Sequence, residues 1–395
     1  MRLRFGPALL ALSLLGLSAA CRKEGDAREV PRGESASAAL LRLLASPPEP
    51  RGPAGQAPSG SPPAEEPAGG EIRQERVDGM LESSNDGRWG YLLKLVDGPW
   101  LYRVGVDEVF EPASTVKTLL LLHAMREVDQ GRVSLKTPIP WFRGSTVADD
   151  PATSDEDERE WGCPLDEDPA VGELGEGLRL MMERSDNRWT QAVRRYFGDA
   201  GIRETALLAG MRWTSISHRI GCAADTGGDP GELSAPGTST LRELDGLLEG
   251  VAAGRLLSET GAARFFELMA NDPLIRLTAI LGEENAGVGL PQEILQAVAS
   301  RIALAWKSGK YNIGEYKCQS VVALAILPVY AERAVRSSRY VVAVFVDDAR
   351  RFPEQGTRES LYSLAVASEL LRGEIRSMLL SFRAALDELG GGSPR

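Results

Sequence analysis

Short apolar runs indicate β-strands near the start and the end of the region between residues 86 and 385. Two runs, Trp89 to Val96 and Trp100 to Val106, come early, and three more come late: Ile302 to Trp306, Val321 to Leu327 and Tyr340 to Val346. Alternating apolar residues are typical of a strand with one buried face, and continuous apolar residues of a strand buried on both faces. The sequence therefore predicts strands at these five runs.

Helical patterns occupy the region between the early and late strands. An apolar stretch, Leu119 to Leu122, follows Ser114, so we predict a helix that starts near Ser114. The run Leu178 to Arg184 is amphipathic, and a further helix is predicted from Thr238 or Ser239 through Leu248. A long helix is expected to close the domain.

Composition changes sharply before residue 86. Ser, Pro, Gly, Ala and Glu dominate there, as in the stretches 46–50 and 60–67. Such a segment buries too little apolar surface to fold, so we predict a disordered tether over residues 21–85. Within it the apolar run Ala38 to Leu44 is expected to form only a transient helix. The folded domain is predicted over residues 86–385 without internal repeats, followed by a flexible tail at 386–395.

The first twenty residues have the pattern of an export signal. Arg2 and Arg4 form a basic start, an apolar stretch follows, and small residues precede Cys21. Cleavage before Cys21 is typical of a bacterial lipoprotein, in which that cysteine carries the lipid; the alternative is an ordinary secreted protein. We expect an exported, lipid-anchored protein on the periplasmic face of a bacterial membrane. Because residue 22 is Arg22 and not aspartate, the outer membrane is favoured.

Charge argues against some partners. The net charge is −11, from 45 basic and 56 acidic residues, which argues against nucleic acid. The acidic run Asp149 to Asp168 is predicted to be a solvated loop, because no histidine or ordered ligand spacing accompanies it. We therefore predict neither a metal site nor a cofactor.

Ser114 and Lys117 are the first candidate catalytic pair. One helical turn separates them, so both side chains project from the same helix face. A lysine amine beside a serine hydroxyl can take its proton and make it a nucleophile. Lys117 is the only one of seven lysines with a serine three residues before it. Taken alone, Ser114 is equally well explained as an ordinary helix N-cap.

Two more motifs follow in order. Ser185-Asp186-Asn187 comes after the amphipathic helical run, and Lys307-Ser308-Gly309 ends an alternating strand run. Each motif alone is better explained as a turn, a cap or a strand end. The three together, in this order, are far less expected by chance.

The three motifs resemble those of the class A β-lactamase and penicillin-binding-protein superfamily, S-x-x-K, S-D-N and K-T-G, with serine for threonine in the third. The resemblance covers about residues 86–385. It implies an α/β (α+β) fold with a five-stranded antiparallel sheet flanked by helices. It also implies an inserted all-helical subdomain at about 118–300, with the cleft between the two parts.

The resemblance also implies roles for the motif residues. Ser114 would attack an amide carbonyl and Lys117 would act as its base, while Ser185 would relay the proton to the leaving nitrogen. Asn187 would hold the substrate amide, and Lys307 with Ser308 would bind the substrate carboxylate. The oxyanion hole would use the backbone N–H groups of Ser114 and of Lys310, the residue after Gly309.

One element of the family pattern is missing. Class A β-lactamases hydrolyse the acyl-enzyme with a glutamate in an E-x-x-L-N loop, and no such motif is found here. His218 falls near the expected position and is a possible water-orienting residue, although a histidine bonded to loop backbone is the more ordinary interpretation. Asp225, Asp229 and Glu232 are candidate bases by proximity alone. Acylation is therefore expected to be possible and deacylation to be slow.

Of the remaining cysteines, the resemblance favours a disulfide between Cys163 and Cys222, with Cys318 as a buried thiol. Two functions stay open. The first is a serine hydrolase that attacks β-lactams or D-alanyl peptides. The second is a penicillin-binding or cell-wall sensor protein that acylates once, or only binds. In both cases we expect a monomer whose partners are a small β-lactam or cell-wall peptide and, through the lipid, a membrane.

Overall fold

A single antiparallel sheet forms the centre of the protein. The computed structural model describes residues 35–46, 69–84, 87–141, 170–216, 237–269, 274–313, 316–349 and 362–390. The sheet has five strands in the order β2-β1-β7-β6-β5. Their bounds are β1 Arg88–Leu95, β2 Trp100–Val104, β5 Ala303–Ile313, β6 Tyr316–Ala331 and β7 Ala334–Ala349. All five predicted strand runs, and the five-stranded antiparallel sheet, are confirmed.

The two central strands are apolar on both faces because helices cover both. Every residue from Val341 to Val346 in β7 is buried, as expected for a strand between two layers. A two-residue loop joins β6 to β7, and both of its residues, Glu332 and Arg333, have positive φ. This is the backbone of a type I′ hairpin, whose twist matches that of the strands.

Helices cover the sheet in two groups. The first group lies beside a second, smaller sheet, in which β3 Pro138–Trp141 pairs with β4 Ala170–Glu173. The helices of this group are α3 Lys117–Asp129, α4 Leu174–Glu183, α5 Asn187–Phe197, α6 Asp199–Leu208, α7 Leu241–Ala252 and α8 Glu259–Met269. The second group is α1 Ala36–Ala45, α2 Gly69–Ser84, α9 Leu274–Val288, α10 Gln292–Ala299 and α11 Tyr362–Leu389. Each group shares a separate hydrophobic core with one side of the sheet.

The inserted subdomain is smaller than predicted and is not all-helical. It contains the β3–β4 pair, and its helices end at Met269. The helices α9 and α10 instead bury Leu277, Ile294 and Val298 in the core that contains α11. The predicted range 118–300 therefore joined helices that belong to opposite sides of the sheet.

The prediction of a disordered tether is wrong for two segments. Helix α1 buries Leu40 and Leu44, and α2 buries Val77 and Leu81, in the same core as α11. In each helix the two residues are four apart, so they share a face. Their apolar face has a partner only in the folded domain, which composition alone does not reveal. Likewise α11 continues to Leu389, four residues into the predicted tail.

Further observations concern the cysteines and membrane-spanning helices. Cys318 is a buried thiol. Within the described ranges, no helix is both long and apolar enough to cross a membrane. The proposed disulfide cysteines, Cys163 and Cys222, and the proposed lipid site, Cys21, lie outside the described residues.

Candidate active site

Ser114 lies in a single 3-10 turn, Ala113–Val116, that leads directly into α3. Pro112 precedes the turn with φ −76° and so starts it without an N–H of its own. Phe110 is buried and stacks on Phe345 of the sheet at 4.4 Å between ring centroids, which fixes the approach of the chain. The predicted helix start near Ser114 is thus a tight turn followed by a helix.

Hydrogen bonds hold this turn from two sides. The Pro112 carbonyl accepts from Thr115 Oγ1 at 2.7 Å and from Ser320 Oγ on β6, also at 2.7 Å. The backbone N–H of Ala113 donates to Glu111 Oε1 at 2.8 Å. Ala113 has φ +45°, a left-handed conformation that is unfavourable for a residue other than glycine. The contacts therefore maintain a strained backbone directly before Ser114.

Lys117 is fully buried at the start of α3, and its amine connects the first two motifs. The Nζ atom donates to the Ser185 carbonyl at 2.7 Å, and lies 3.0 Å from Ser185 Oγ and 2.6 Å from Asn187 Oδ1. An ammonium has protons for all three oxygens, whereas a neutral amine has two and a lone pair. Only the Ser185 hydroxyl can also donate, so proton exchange between Lys117 and Ser185 is chemically possible.

The S-D-N motif is a turn and a helix cap as well as part of this cluster. Ser185 has φ +58°, and Asp186 accepts from the backbone N–H groups of Arg188 and Trp189 at 2.9 and 3.2 Å, which caps α5. The Arg188 side chain also pairs with Asp186 at 2.8 Å. The ordinary interpretation as a cap is therefore correct for Asp186. Its neighbours Ser185 and Asn187 are the residues that reach Lys117.

The third motif lies on the edge strand β5 and presses against the turn. A Cβ placed on Gly309 would lie 2.6 Å from the Pro112 carbonyl oxygen and 2.7 Å from Ser114 N. Only glycine permits this approach. Lys307 is buried with its Nζ donating to the Ser308 carbonyl at 2.9 Å, while Lys310 is exposed.

Burial changes the acidity of both lysines. It lowers the pKa of Lys117 well below the usual value, the charge of Lys307 lowers it further, and Asp186 opposes the shift. Burial also lowers the pKa of Lys307 to about 7. Two amines with lowered pKa in one cluster are a feature of sites that move protons. The structure thus brings together Ser114, Lys117, Ser185, Asn187 and the 307–309 strand.

Two residues of the site were not predicted from the sequence. Glu111 is buried beside Asp347, and burial raises the pKa of its carboxyl group to about 7. Ser320 belongs to the site because the register of β5 and β6 places it opposite Gly309. The sequence alone does not give that register. The possible water-orienting His218 and the candidate bases Asp225, Asp229 and Glu232 lie outside the described residues. Among those described, no group of three acidic, histidine or cysteine side chains could hold a metal ion.

Solved structures with a similar fold include several β-lactamases. One from Chitinophaga pinensis is 16% identical and gives a TM-score of 0.53, covering 77% of this chain and 99% of its own. A class A enzyme from Bacteroides cellulosilyticus is 16% identical with a TM-score of 0.51, covering 79% and 98%. The extended-spectrum β-lactamase TLA-1 is 14% identical with a TM-score of 0.52, covering 76% and 98%. These show a shared fold.

A search of curated proteins found no significant match. The sequence model of the β-lactamase enzyme family, however, matches residues 73–367. This range contains the Ser114 turn, the S-D-N turn and the K-S-G strand, and it begins inside α2, in agreement with the packing of that helix on the domain. The chain belongs to the β-lactamase enzyme family.

Proposed function

We propose that the protein is a serine hydrolase that forms an acyl-ester at Ser114 with β-lactams or D-alanyl peptide amides. The observation that carries this proposal is the convergence of the three motifs. Lys117 Nζ is bonded to Ser185 and Asn187, and Gly309 lies against the Ser114 backbone. Family membership supports hydrolase chemistry of this kind.

The first step would be acylation. Ser114 Oγ bonds to the carbonyl carbon, and its proton passes to the neutral Lys117 amine. The backbone N–H groups of Ser114 and Lys310 would stabilise the resulting oxyanion. When the carbon–nitrogen bond breaks, the nitrogen takes a proton from Lys117 through the Ser185 hydroxyl, and Lys117 is neutral again.

Substrate orientation would come from the remaining motif residues. Asn187 would bind the substrate amide through its side chain, and Lys307 with Ser308 would bind the substrate carboxylate. An amine whose pKa is about 7 is partly charged at neutral pH, and a bound carboxylate would favour its charged form.

The absence of an E-x-x-L-N motif favours a second candidate function. Without a base that activates water, the acyl-ester would persist, and the protein would act as a penicillin-binding or cell-wall sensor protein. This alternative shares the first step with the hydrolase and differs only in how fast the ester is hydrolysed.

Labelling and turnover separate these functions. Fluorescent penicillin should label the wild type and the control Ser134→Ala, which changes an exposed serine, but not Ser114→Ala. Steady hydrolysis of a chromogenic cephalosporin would support the hydrolase, and stable labelling with one turnover would support the sensor. No label that depends on Ser114 would refute both.

Anchoring at a membrane through Cys21 remains a separate proposal. It rests on the signal-like first twenty residues. Incorporation of labelled palmitate into the wild type but not into Cys21→Ser would support it. Equal incorporation, or none, would refute it.

A further inference from the structure

Glu111 is an unusual residue in the turn that carries Ser114. Its side chain is 6% exposed, and one carboxylate oxygen accepts the Ala113 N–H at 2.8 Å. The other oxygen, Oε2, is buried and has no hydrogen-bond partner among the described residues. An unsatisfied buried carboxylate oxygen destabilises a protein. Sites that break packing rules in this way are often functional.

The neighbours of Glu111 do not compensate for the free-energy cost of burying its carboxylate. Its own N–H donates to Asp347 Oδ2 at 3.2 Å, and Asp347, on β7, is also only 6% exposed. Arg88 of β1 pairs with Asp347 at 2.8 Å and with the exposed Asp348 at 3.0 Å. Gly237, which precedes α7, lies against the Glu111 carboxyl oxygens and has no charged side chain. Glu111 therefore faces a second carboxylate, and no cation among the described residues forms an ion pair with it.

The one hydrogen bond that the described residues give the Glu111 carboxyl group is with strained backbone. Ala113 has φ +45°, a conformation that costs on the order of 1–3 kcal/mol and persists only where neighbours enforce it. Ser320 and Thr115 fix the preceding carbonyl, at Pro112, and Glu111 fixes the N–H of Ala113. Together they hold both sides of one peptide group, the one between Pro112 and Ala113, directly before the strained Ala113.

The direction of the Ser114 N–H depends on this arrangement. Rotation about the backbone bonds of Ala113 moves the following peptide group, which carries that N–H. The same nitrogen is the one that Gly309 approaches. We propose that Glu111 is a positioning residue that holds Ala113 in its left-handed conformation and so aims the Ser114 N–H at the substrate oxyanion. This inference rests on the proposed function.

The test compares Glu111→Ala, which removes the acceptor, with Glu111→Gln, which keeps an oxygen of the same reach. Loss of one oxyanion donor lowers rates by about 10²–10³-fold. We expect the acylation rate constant of Glu111→Ala to fall by about 10²-fold with little change in the binding constant for penicillin. Glu111→Gln should stay within about threefold of the wild type.

Glu243→Ala is the matched control. Glu243 is a buried carboxylate that also accepts backbone N–H groups, those of Arg212 and Trp213 at 2.6 and 2.8 Å, neither of which belongs to the Ser114 turn. It should lower the melting temperature while leaving the acylation rate constant of the folded protein unchanged. An equal rate loss in this variant would overturn the positioning role.

A second measurement keeps the inference separate from the proposed function. Hydrogen exchange of the peptide spanning 110–118 should accelerate in Glu111→Ala, and not in Glu111→Gln or Glu243→Ala. If the wild type shows no acylation, the proposed function fails, and the exchange result still decides whether Glu111 holds the turn. Unchanged exchange in Glu111→Ala would overturn the inference. So would a Glu111→Gln variant that acylates normally and no longer deacylates, because that result would identify a base.

Discussion

Replacing Gly309 by alanine tests the contact between the K-S-G strand and the Ser114 turn. The added Cβ would lie 2.6 Å from the Pro112 carbonyl oxygen, 2.7 Å from Ser114 N and 2.9 Å from Ala113 Cβ. The closest of these distances is about 0.8 Å shorter than the 3.4 Å at which ordinary contact begins. Two of the three atoms are backbone, so no side-chain rotation relieves the overlap.

The turn cannot move freely, because Thr115, Ser320 and Glu111 bond to it. Either the turn or β5 must shift by several tenths of an ångström. Overpacking of this kind costs about 1–3 kcal/mol of unfolding free energy. A displacement of about 1 Å at a reacting group lowers a rate by about 10²-fold. We therefore expect Gly309→Ala to lower the melting temperature by a few degrees and the penicillin acylation rate by about 10²-fold.

The matched control is Gly282→Ala, in the exposed face of α9, where an added Cβ meets nothing within 4 Å. Alanine is favoured over glycine inside a helix by about 0.5–1 kcal/mol, so this variant should be slightly more stable. Stopped-flow labelling and thermal unfolding measure both effects. If Gly309→Ala acylates and unfolds like the wild type, then the strand does not press on the Ser114 turn.

Three further predictions concern buried groups. Lys117→Met removes a fully buried amine and should lower acylation by about 10²–10⁴-fold. It should also lower the unfolding free energy by about 1–3 kcal/mol, because oxygens of Ser185 and Asn187 lose their donor. A variant with wild-type labelling would contradict the role of Lys117. The pKa of Glu111 is raised from 4.5 to about 7, so its protonated form is favoured by folding, and stability is lost as pH rises from 4.5 through 7. This loss is about 3 kcal/mol, and urea unfolding of Glu111→Gln between pH 5 and 8 should lack it; an unchanged pH dependence would refute the assignment. Leu40→Ala should lower the unfolding free energy by about 2–5 kcal/mol. Its control is Leu380→Ala, which changes a half-exposed residue and should alter the unfolding free energy by less than about 0.5 kcal/mol. Equal effects would mean that α1 is not part of the folded domain.

The strands and the three motifs could be predicted because their signals are local. Strand β7 shows a continuous apolar run, and Ser114 and Lys117 are separated by one helical turn whatever surrounds them. The order of the motifs along the chain indicates a family, and the resemblance to that family implies how the strands pair in one antiparallel sheet.

The neighbours of the turn could not be predicted, because their contacts are between distant parts of the chain. Ser320 reaches Pro112 only because β5 and β6 pair in one register, with Gly309 opposite Ser320. Glu111 is a charged residue in the sequence, and nothing local indicates that it would be buried beside Asp347. The left-handed backbone of Ala113 has no sequence signal, since glycine is the usual residue there.

The N-terminal helices also depend on contacts with distant parts of the chain, which the sequence does not reveal. The surrounding segment is poor in apolar residues, so its composition predicts no more than a transient helix at residues 38–44. Their stability comes from Leu40 and Leu44 against α10 and α11, which follow more than 240 residues later in the sequence. Packing, not propensity, decides whether a short helix forms.

Peptide mapping by mass spectrometry after exposure to benzylpenicillin tests the central claim most directly. A mass increase equal to one penicillin on the peptide that contains Ser114, absent from Ser114→Ala, is the predicted result. An adduct on a different peptide, or penicillin hydrolysis that survives in Ser114→Ala, would contradict it.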